Sequence, residues 1–399
     1  MLFQRAQVEG RVCREANIGA RRHTSVLHST SLAGSLPWRQ RSGTVFRPSE
    51  QKVILEIRNP AADGRYFEDF AVGEHLDLPN PRTLSAGETA VYLSLTGDRT
   101  PNYCGPEARL HPLIVFHTVF GQTVRAISLN AVANLGYARG LWGAPVYAGD
   151  TLRTSVDIIG LKENRSGGAG IVYLDTVARN QNGAEVLRYT RWVMVKKRSP
   201  SPTIYLDAPV IPALPVAVGA DALDIPRELS PRFLDTGHRL KFDDYGVGDV
   251  VPHYDGMQVN AADHMSFTRL FQNSARLHFD GSLAPGGTPL VYGGVVMSIG
   301  YAMSHAGFEG RYGIRAINGG SHANPTHAGD TLYAFTEVVE AQRLGRDGAL
   351  RLRLVVVKNR APWRDGDYAL YQEEHAVEGR SRYRGDVVLD FDYWDVVPV

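Results

Sequence analysis

Residues 67–74 read FEDFAVGE, and residues 242–249 read FDDYGVGD, so one stretch occurs twice at an offset of 175. Three further pairs follow in the same order, at offsets that drift from 175 to 180: residues 92–98 with 267–273, 112–115 with 289–292, and 147–152 with 327–332. Small loop insertions produce such a drift, and a long internal repeat determines the architecture. The sequence therefore predicts two copies of one folding unit.

Each copy contains the same order of predicted elements. A helix is predicted at residues 85–96 and 260–271, and an apolar run long enough for a buried helix lies at residues 113–129 and 290–305. Segments rich in β-branched residues then predict three strands in each copy: residues 151–159, 170–179 and 186–196, and residues 331–339, 350–358 and 387–396. One buried helix followed by antiparallel strands predicts an α+β fold, with a sheet wrapped around a helix in each half.

The limits of the repeat define the predicted domains. Residues 1–50 are rich in arginine and serine and poor in acidic residues, which is typical of a transit peptide or of a disordered extension. Residues 51–198 form the first copy and residues 233–399 the second. Residues 199–232 between them are rich in proline, which predicts a semi-rigid linker. We expect the two copies to pack as a pseudo-dimer with their sheets joined edge to edge.

Composition argues against several classes of protein. A net charge of +1 offers no clustered basic surface for nucleic acid. Two cysteines exclude a disulfide scaffold and suit a reducing cytosol. No apolar run approaches the roughly 20 residues that span a bilayer, and no dinucleotide-binding or Walker motif is present, so no cofactor is expected. The predicted location is cytoplasmic, or an organellar matrix if residues 1–50 are a transit peptide.

The helix, the polar loop and the glycine-started buried helix together resemble the MaoC-like hydratases of the hot-dog fold. The hydratase motif of that family runs Gly-Asp-x-Asn-Pro-(Leu/Ile)-His, and its Asp and His activate water. The first copy reads GDRTPNY at residues 97–103, with Asp98 in place and Tyr103 at the histidine position. The second reads QNSARLH at residues 272–278, with His278 in place and Asn273 at the aspartate position. The familiar pair is therefore split between the copies.

Within this family, the form QNSARLHF is similar to the branch that hydrates mesaconyl-CoA (2-methylfumaryl-CoA) and dehydrates β-methylmalyl-CoA. Other segments support this likeness over nearly all of residues 66–399, among them residues 115–121, 127–137, 191–195 and 388–393. The resemblance implies a tandem (double) hot-dog fold, hydro-lyase activity, and a CoA thioester of a branched C4-dicarboxylic acid as partner. Hot-dog units usually pair, which leaves two alternatives, a homodimer or pairing within this chain.

Hydration of an enoyl thioester needs an acid/base group and donors that stabilise charge on the thioester oxygen. Amides at a helix N-terminus suit the second task, and glycine lets the substrate approach them. The second copy has Gly293 and Gly294 at the start of its buried helix, where the first copy has the bulkier Phe116 and His117. Together with His278, this contrast predicts that the second copy is catalytic and that the first is a non-catalytic partner.

His278 is the predicted acid/base group, because its ordinary pKa of about 6.5 suits proton transfer in both directions. Asn273 does not titrate, and we expect it to orient the water. The carboxylate partner stays open: His278 acts alone, or Asp280 supplies the carboxylate. Asp98 is the remaining candidate, with a loop-capping relic as the alternative interpretation.

Arg276 is predicted to bind the substrate carboxylate through its planar guanidinium, the alternative being a structural ion pair. Tyr292, His322 and Asn324 are predicted to line the binding site. No metal site is predicted, because His322 and His327 lack an acidic or cysteine partner.

Two other functions remain open. One is a hot-dog enzyme of another type, either an (R)-specific enoyl-CoA hydratase or a thioesterase. Thioesterases usually carry a carboxylate on or near the buried helix, and residues 291–303 contain none. The other is a non-catalytic acyl-CoA-binding subunit, which would fit if the missing aspartate marks a dead site.

Overall fold

A computed structural model describes residues 63–105, 109–200, 208–225, 240–372 and 382–399. The prediction for residues 1–50 and part of that for the linker at residues 199–232 lie outside the described residues. Five α-helices are described: α1 (Ala86–Thr96), α2 (Pro112–Thr123), α3 (Ala261–Leu270), α4 (Gly293–Met303) and the short α5 (Pro362–Asp365). The predicted α+β class is confirmed.

Local sequence explains where α1 begins and ends. Ser85 and Glu88 form a capping box at its N-terminus, which satisfies amides that have no partner within the helix. Gly97 ends the helix with φ of 71°, a left-handed conformation that favours glycine. Because the loop with the motif residues follows Gly97 directly, these two signals fix where that loop leaves the helix.

Eleven strands are described: β1 (His75–Asp77), β2 (Arg82–Thr83), β3 (Ala131–Trp142), β4 (Thr151–Glu163), β5 (Ala169–Arg179), β6 (Glu185–Lys196), β7 (Val250–Gln258), β8 (Gly313–Ser321), β9 (Thr331–Leu344), β10 (Asp347–Lys358) and β11 (Val387–Pro398). They form one antiparallel sheet in the order β1-β4-β5-β6-β3-β8-β11-β10-β9-β7, with β2 paired to β4. The order within the second copy repeats that of the first, as the duplication requires.

The two copies share the sheet at its centre. β3 of the first copy pairs with β8 of the second, with Gly140 opposite Ile317 and Leu141 opposite Ala316. A Cβ on Gly140 would lie 2.7 Å from the Cβ of Ile317, so this close approach requires glycine. The expected edge-to-edge joining of the copies is confirmed, and the fold is a double hot-dog.

The long helices α2 and α4 lie in one hydrophobic core that both copies build. All of α2 is buried, and so is α4 after Gly293. His117 of α2 is hydrogen-bonded to α4, since its Nε2 lies 2.8 Å from the hydroxyl of Ser298. The middle parts of α2 and α4 are therefore held together where the copies meet.

The described part of the linker packs on the outside of the joined sheet. Val218, Ala220 and Leu223 form an apolar cluster with residues that include Trp394. The Val218 amide donates to Asn318 Oδ1 at 2.8 Å, and the Trp394 indole donates to the Val218 carbonyl, also at 2.8 Å. Residues 218–223 are thereby held against the second copy.

Within the described ranges, no helix combines the length and apolar character that crossing a bilayer requires.

Candidate active site

A cavity of about 270 Å³ lies between the two copies. Six of the residues that the sequence predicts for the site line it: Asn273, His278, Tyr292, Gly293, His322 and Asn324. The first copy contributes the opposite wall, with side chains from α2, from β3 and from β6. The site therefore belongs to both copies, although the second copy carries the motif residues.

His278 ends a short 3₁₀ turn (Arg276–His278) and is 8% exposed. Its Nδ1 lies 2.8 Å from the carbonyl oxygen of Leu290. Burial lowers the pKa of His278 to about 4, although the hydrogen bond to Leu290 opposes this shift. An imidazole with this pKa is neutral near pH 7.

Asn273 and Asp98 make the same turn at equivalent places. Asn273 Oδ1 accepts a hydrogen bond from the Ala275 amide at 3.1 Å, and Asp98 Oδ1 accepts one from the Thr100 amide at 2.8 Å. An amide oxygen serves this turn as well as a carboxylate oxygen does. The replacement of Asp by Asn in the second copy thus keeps the loop conformation and removes only the charge.

The helix starts differ between the copies. At α2, Pro112 occupies the first position, and His111 Nδ1 accepts from the Leu113 amide at 3.0 Å. At α4, no side chain caps the helix after Tyr292. Amides at an uncapped N-terminus, at the positive end of the helix dipole, can donate to an anionic oxygen.

The start of α2 also differs from the predicted one. Phe116 and His117 were expected at the start of this helix, but it begins at Pro112, one turn earlier, because proline favours the first position. Phe116 and His117 consequently lie inside the helix, in the core. The expectation that these two side chains occupy the helix start is wrong. The copies differ instead in that the start of α2 is capped by a side chain and the start of α4 is not.

Gly293 and Gly294 both allow close packing, but against different neighbours. A Cβ on Gly293 would lie 2.5 Å from the His322 ring, inside the cavity. A Cβ on Gly294 would lie 2.4 Å from the Tyr292 ring and 2.7 Å from the His117 ring. Gly293 lines the cavity, whereas Gly294 is not among the lining residues.

The other predicted wall residues of the second copy, Tyr292, His322 and Asn324, make side-chain hydrogen bonds. The Tyr292 hydroxyl lies 3.2 Å from His117 Nδ1, and the Tyr137 hydroxyl lies 3.3 Å from His322 Nε2. Burial lowers the pKa of His322 to about 4, so this ring is also neutral. Asn324 donates from Nδ2 to the backbone oxygen of Val387 at 2.7 Å, which holds the neighbouring loop against β11.

Besides Gly294, three predicted residues do not line the cavity. Arg276 is exposed and does not line it. Asp280 is also exposed, and it caps the following turn by accepting hydrogen bonds from Ser282. Asp98 is buried in the first copy, where its Oδ2 lies 3.3 Å from His111 Nε2. Burial would raise the pKa of Asp98, but the facing His111 imidazole outweighs it and keeps that pKa below its ordinary value.

The sequence did not single out the residues of the first copy that face His278 across the cavity. They are polar side chains from three elements: Ser128, Asn134, Tyr137 and Arg191. Arg191 could have been found from the strand pattern, because it has the same parity in β6 as the buried Tyr189, Val193 and Val195. An arginine at a core-facing position of a strand is uncommon, because charged side chains are almost never fully buried unless they are paired.

No cluster of metal-ligating side chains occurs in the described parts of the chain.

Comparisons with known proteins agree with this architecture. No protein-family model matches the chain. It is 43% identical over 352 residues to the mesaconyl-CoA hydratase of Cereibacter sphaeroides, which covers 84% of this chain and 98% of the relative. It is 42% identical over 355 residues to the beta-methylmalyl-CoA dehydratase of Chloroflexus aurantiacus, with 84% and 97% covered.

Two solved structures show the same fold. A MaoC domain protein dehydratase of Chloroflexus aurantiacus aligns with a TM-score of 0.76 at 40% identity, over 84% of this chain and 97% of that one. A double-hotdog protein of Mycobacterium tuberculosis aligns with a TM-score of 0.65 at 24% identity, over 84% and 98%, and supports the fold alone. The chain is an enoyl-CoA-type hydro-lyase, and it belongs to the MaoC-like double hot-dog family of the mesaconyl-CoA hydratases and beta-methylmalyl-CoA dehydratases.

Proposed function

We propose that this enzyme reversibly adds water to mesaconyl-CoA to give β-methylmalyl-CoA, with His278 as its acid/base group. The observation that carries the proposal is the cavity itself, in which a buried neutral histidine lies beside an uncapped helix start. The two curated relatives are named for this reaction in its two directions.

His278 removes the proton from water and later donates it to the substrate. Because a carbonyl oxygen only accepts, the contact with Leu290 requires the proton on Nδ1 and leaves Nε2 as the base. Nε2 removes a proton from water as the oxygen bonds to the β-carbon, the carbon next to the free carboxylate. The protonated Nε2 then returns that proton to the α-carbon, which completes addition of H and OH across the double bond.

The start of α4 stabilises the charge that develops between these two steps. When the water oxygen bonds to the β-carbon, the electrons of the double bond move toward the thioester, and its oxygen becomes negative. The Gly293 and Gly294 amides belong to the first turn of α4, where no side chain caps them. Donors held ready at the place where charge develops are among the largest contributions to enzymatic rates.

Asn273 orients the water. Its Oδ1 accepts from the Ala275 amide, so the side chain is held in one position at the cavity wall. In this proposal His278 acts without a carboxylate, since Asp280 and Asp98 both lie outside the cavity. The depressed pKa of His278 fits this arrangement, because a nearby carboxylate would raise it.

The test is an assay of the full chain with mesaconyl-CoA, following the loss of enoyl-thioester absorbance and the mass of the product. We expect the absorbance to fall to an equilibrium value and the product to carry one added water. Release of free CoA instead would identify a thioesterase. Turnover of crotonyl-CoA at a comparable rate would favour an (R)-specific enoyl-CoA hydratase. Binding of mesaconyl-CoA without turnover would favour a non-catalytic acyl-CoA-binding subunit.

A further inference from the structure

Arg191 is a fully buried cation in the wall of the catalytic cavity. It lies on β6 of the first copy, and its side chain has no exposed surface. It lines the same cavity as His278 and Gly293 of the second copy. None of the chemistry described above uses this guanidinium.

Every hydrogen-bond partner of Arg191 is neutral. Nη2 donates to the hydroxyl oxygens of Thr123 at 2.8 Å and Ser128 at 3.3 Å, and Nη1 donates to Asn134 Oδ1 at 3.3 Å. The guanidinium lies over the Phe120 ring, 4.4 Å from its centre. Among the described residues, the ionisable neighbours of this guanidinium are tyrosines and no carboxylate, and its buried Nε has no hydrogen-bond partner.

A second buried arginine, Arg311, has the carboxylate partner that Arg191 lacks among the described residues. Arg311 is also fully buried, and it faces the carboxylate of Asp395, 4.0 Å away. Removing a cation from water is costly unless an anion is supplied in exchange. At Arg311 the chain supplies that anion, whereas at Arg191 the described residues supply only dipoles and leave Nε without a hydrogen-bond partner.

We propose that Arg191 binds the C4 carboxylate of the acyl group and so selects dicarboxylic over monocarboxylic acyl-CoA substrates. This inference rests on the proposed hydration site and names the feature of the substrate that the site recognises. With the thioester at the start of α4 and the β-carbon at His278, the carboxylate next to that carbon extends toward the wall of the first copy. Nε and a neighbouring Nη donate as a planar fork, which matches the two carboxylate oxygens.

The proposal gives this role to Arg191 instead of Arg276, which was the sequence-based candidate. Arg276 is exposed and does not line the cavity. It also gives the first copy a defined task. That copy has a capped helix start and no histidine at the motif position, yet it carries the group that determines substrate specificity.

Two saturated thioesters test the proposal, because neither can be hydrated. Methylsuccinyl-CoA carries the C4 carboxylate, and 2-methylbutanoyl-CoA carries a methyl group in its place. We expect the wild-type chain to bind the first about 100-fold more tightly or better, as for a buried charge pair. Arg191→Leu should remove this preference. Arg191→Lys should retain part of it, because lysine keeps the charge and loses the fork.

Arg188→Leu is the matched control. Arg188 lies on the same strand, is partly exposed and is paired with Glu185 outside the cavity. This variant should keep the full preference of the wild type. A preference that survives Arg191→Leu, or that disappears with Arg276→Leu instead, would overturn the proposal. If Arg191→Leu fails to fold, an undiminished preference in Arg191→Lys would overturn it equally.

Hydration of mesaconyl-CoA, measured on the same preparations, separates this inference from the proposed function. A wild-type chain that prefers methylsuccinyl-CoA but does not hydrate mesaconyl-CoA would refute the reaction and support the carboxylate site. A chain that hydrates mesaconyl-CoA and binds both analogues equally would support the reaction and refute the carboxylate site. A structural role for Arg191 would lower the melting temperature of Arg191→Leu without ligand and leave the preference intact.

Discussion

His278 Nδ1 and the carbonyl oxygen of Leu290 are 2.8 Å apart, a contact between the motif loop and the residue three positions before α4. The contact fixes the tautomer of the imidazole and its position relative to the helix start. The proposed base and the proposed donor amides are thereby held by one short segment of chain. Such an arrangement holds an acid/base group and charge-stabilising donors at fixed positions relative to one another.

His278→Ala should lower kcat on the order of 10²–10⁴-fold, as for loss of a general acid/base group. Asp98→Asn should change kcat little, because Asp98 faces His111 in the first copy and does not line the cavity. Both variants are to be assayed with mesaconyl-CoA under saturating conditions, with circular dichroism as the folding check. If Asp98→Asn abolished activity and His278→Ala did not, the active site would lie in the first copy.

The pH profile reports the depressed pKa of His278. A base with a pKa of about 4 remains unprotonated throughout the neutral range. We expect kcat/KM for hydration to be flat between about pH 5.5 and 7.5 and to fall only at lower pH, as the imidazole takes up a proton. The measurement is the initial rate at low substrate across that range. An acid limb centred near pH 6.5 would mean a solvated imidazole and would contradict the burial argument.

Gly293→Ala should damage catalysis through the helix start. Its methyl group would lie 2.5 Å from His322, so either the ring or the first turn of α4 must move. Loss of one aligned donor lowers kcat on the order of 10²-fold. The control is Gly105→Ala, because no atom lies within 4 Å of the added methyl there. Equal activity of the two variants would remove the Gly293 amide from the mechanism.

The sequence predicted the repeated part of the fold well. Strands with unbroken β-branched patterns were found with ends close to the observed ones, as at residues 170–179 for β5 (Ala169–Arg179). β3 and β8 were not predicted, because the glycines that let them pack closely also weaken the strand signal. A Cβ on Gly136 would lie 2.3 Å from Trp192, and one on Gly320 would lie 2.8 Å from Tyr137.

Only the residues that the second copy contributes to the candidate site were predicted from the sequence. Asn273 and His278 lie in one loop, so spacing alone brings them together. Arg191 reaches the same cavity because β6 pairs with β3, and β3 in turn pairs with β8 of the other copy. That proximity depends on strand order, which residue spacing does not encode. Its one local signal is strand parity, and it indicates burial without naming the neighbour.

The buried arginines Arg191 and Arg311 should differ in what their loss does to stability. Arg311 donates to Ser304 Oγ at 2.6 Å and to the Tyr301 carbonyl at 2.9 Å, and it faces Asp395. Arg311→Leu leaves that carboxylate buried without its cation, so the free energy of unfolding should fall by about 3–5 kcal/mol. Arg191→Leu leaves no carboxylate buried without its cation, and we expect the free energy of unfolding to change by no more than about 1 kcal/mol.

Denaturant unfolding of both variants, without ligand, measures this difference. Asp395→Asn together with Arg311→Leu removes both charges and should recover part of the loss, because the destabilisation comes from the unpaired partner. Burial already raises the pKa of Asp395, so its charged form depends on Arg311. Equal losses for the two arginine variants would mean that Arg191 is held for the fold, and the cavity would then lack a cation reserved for the substrate.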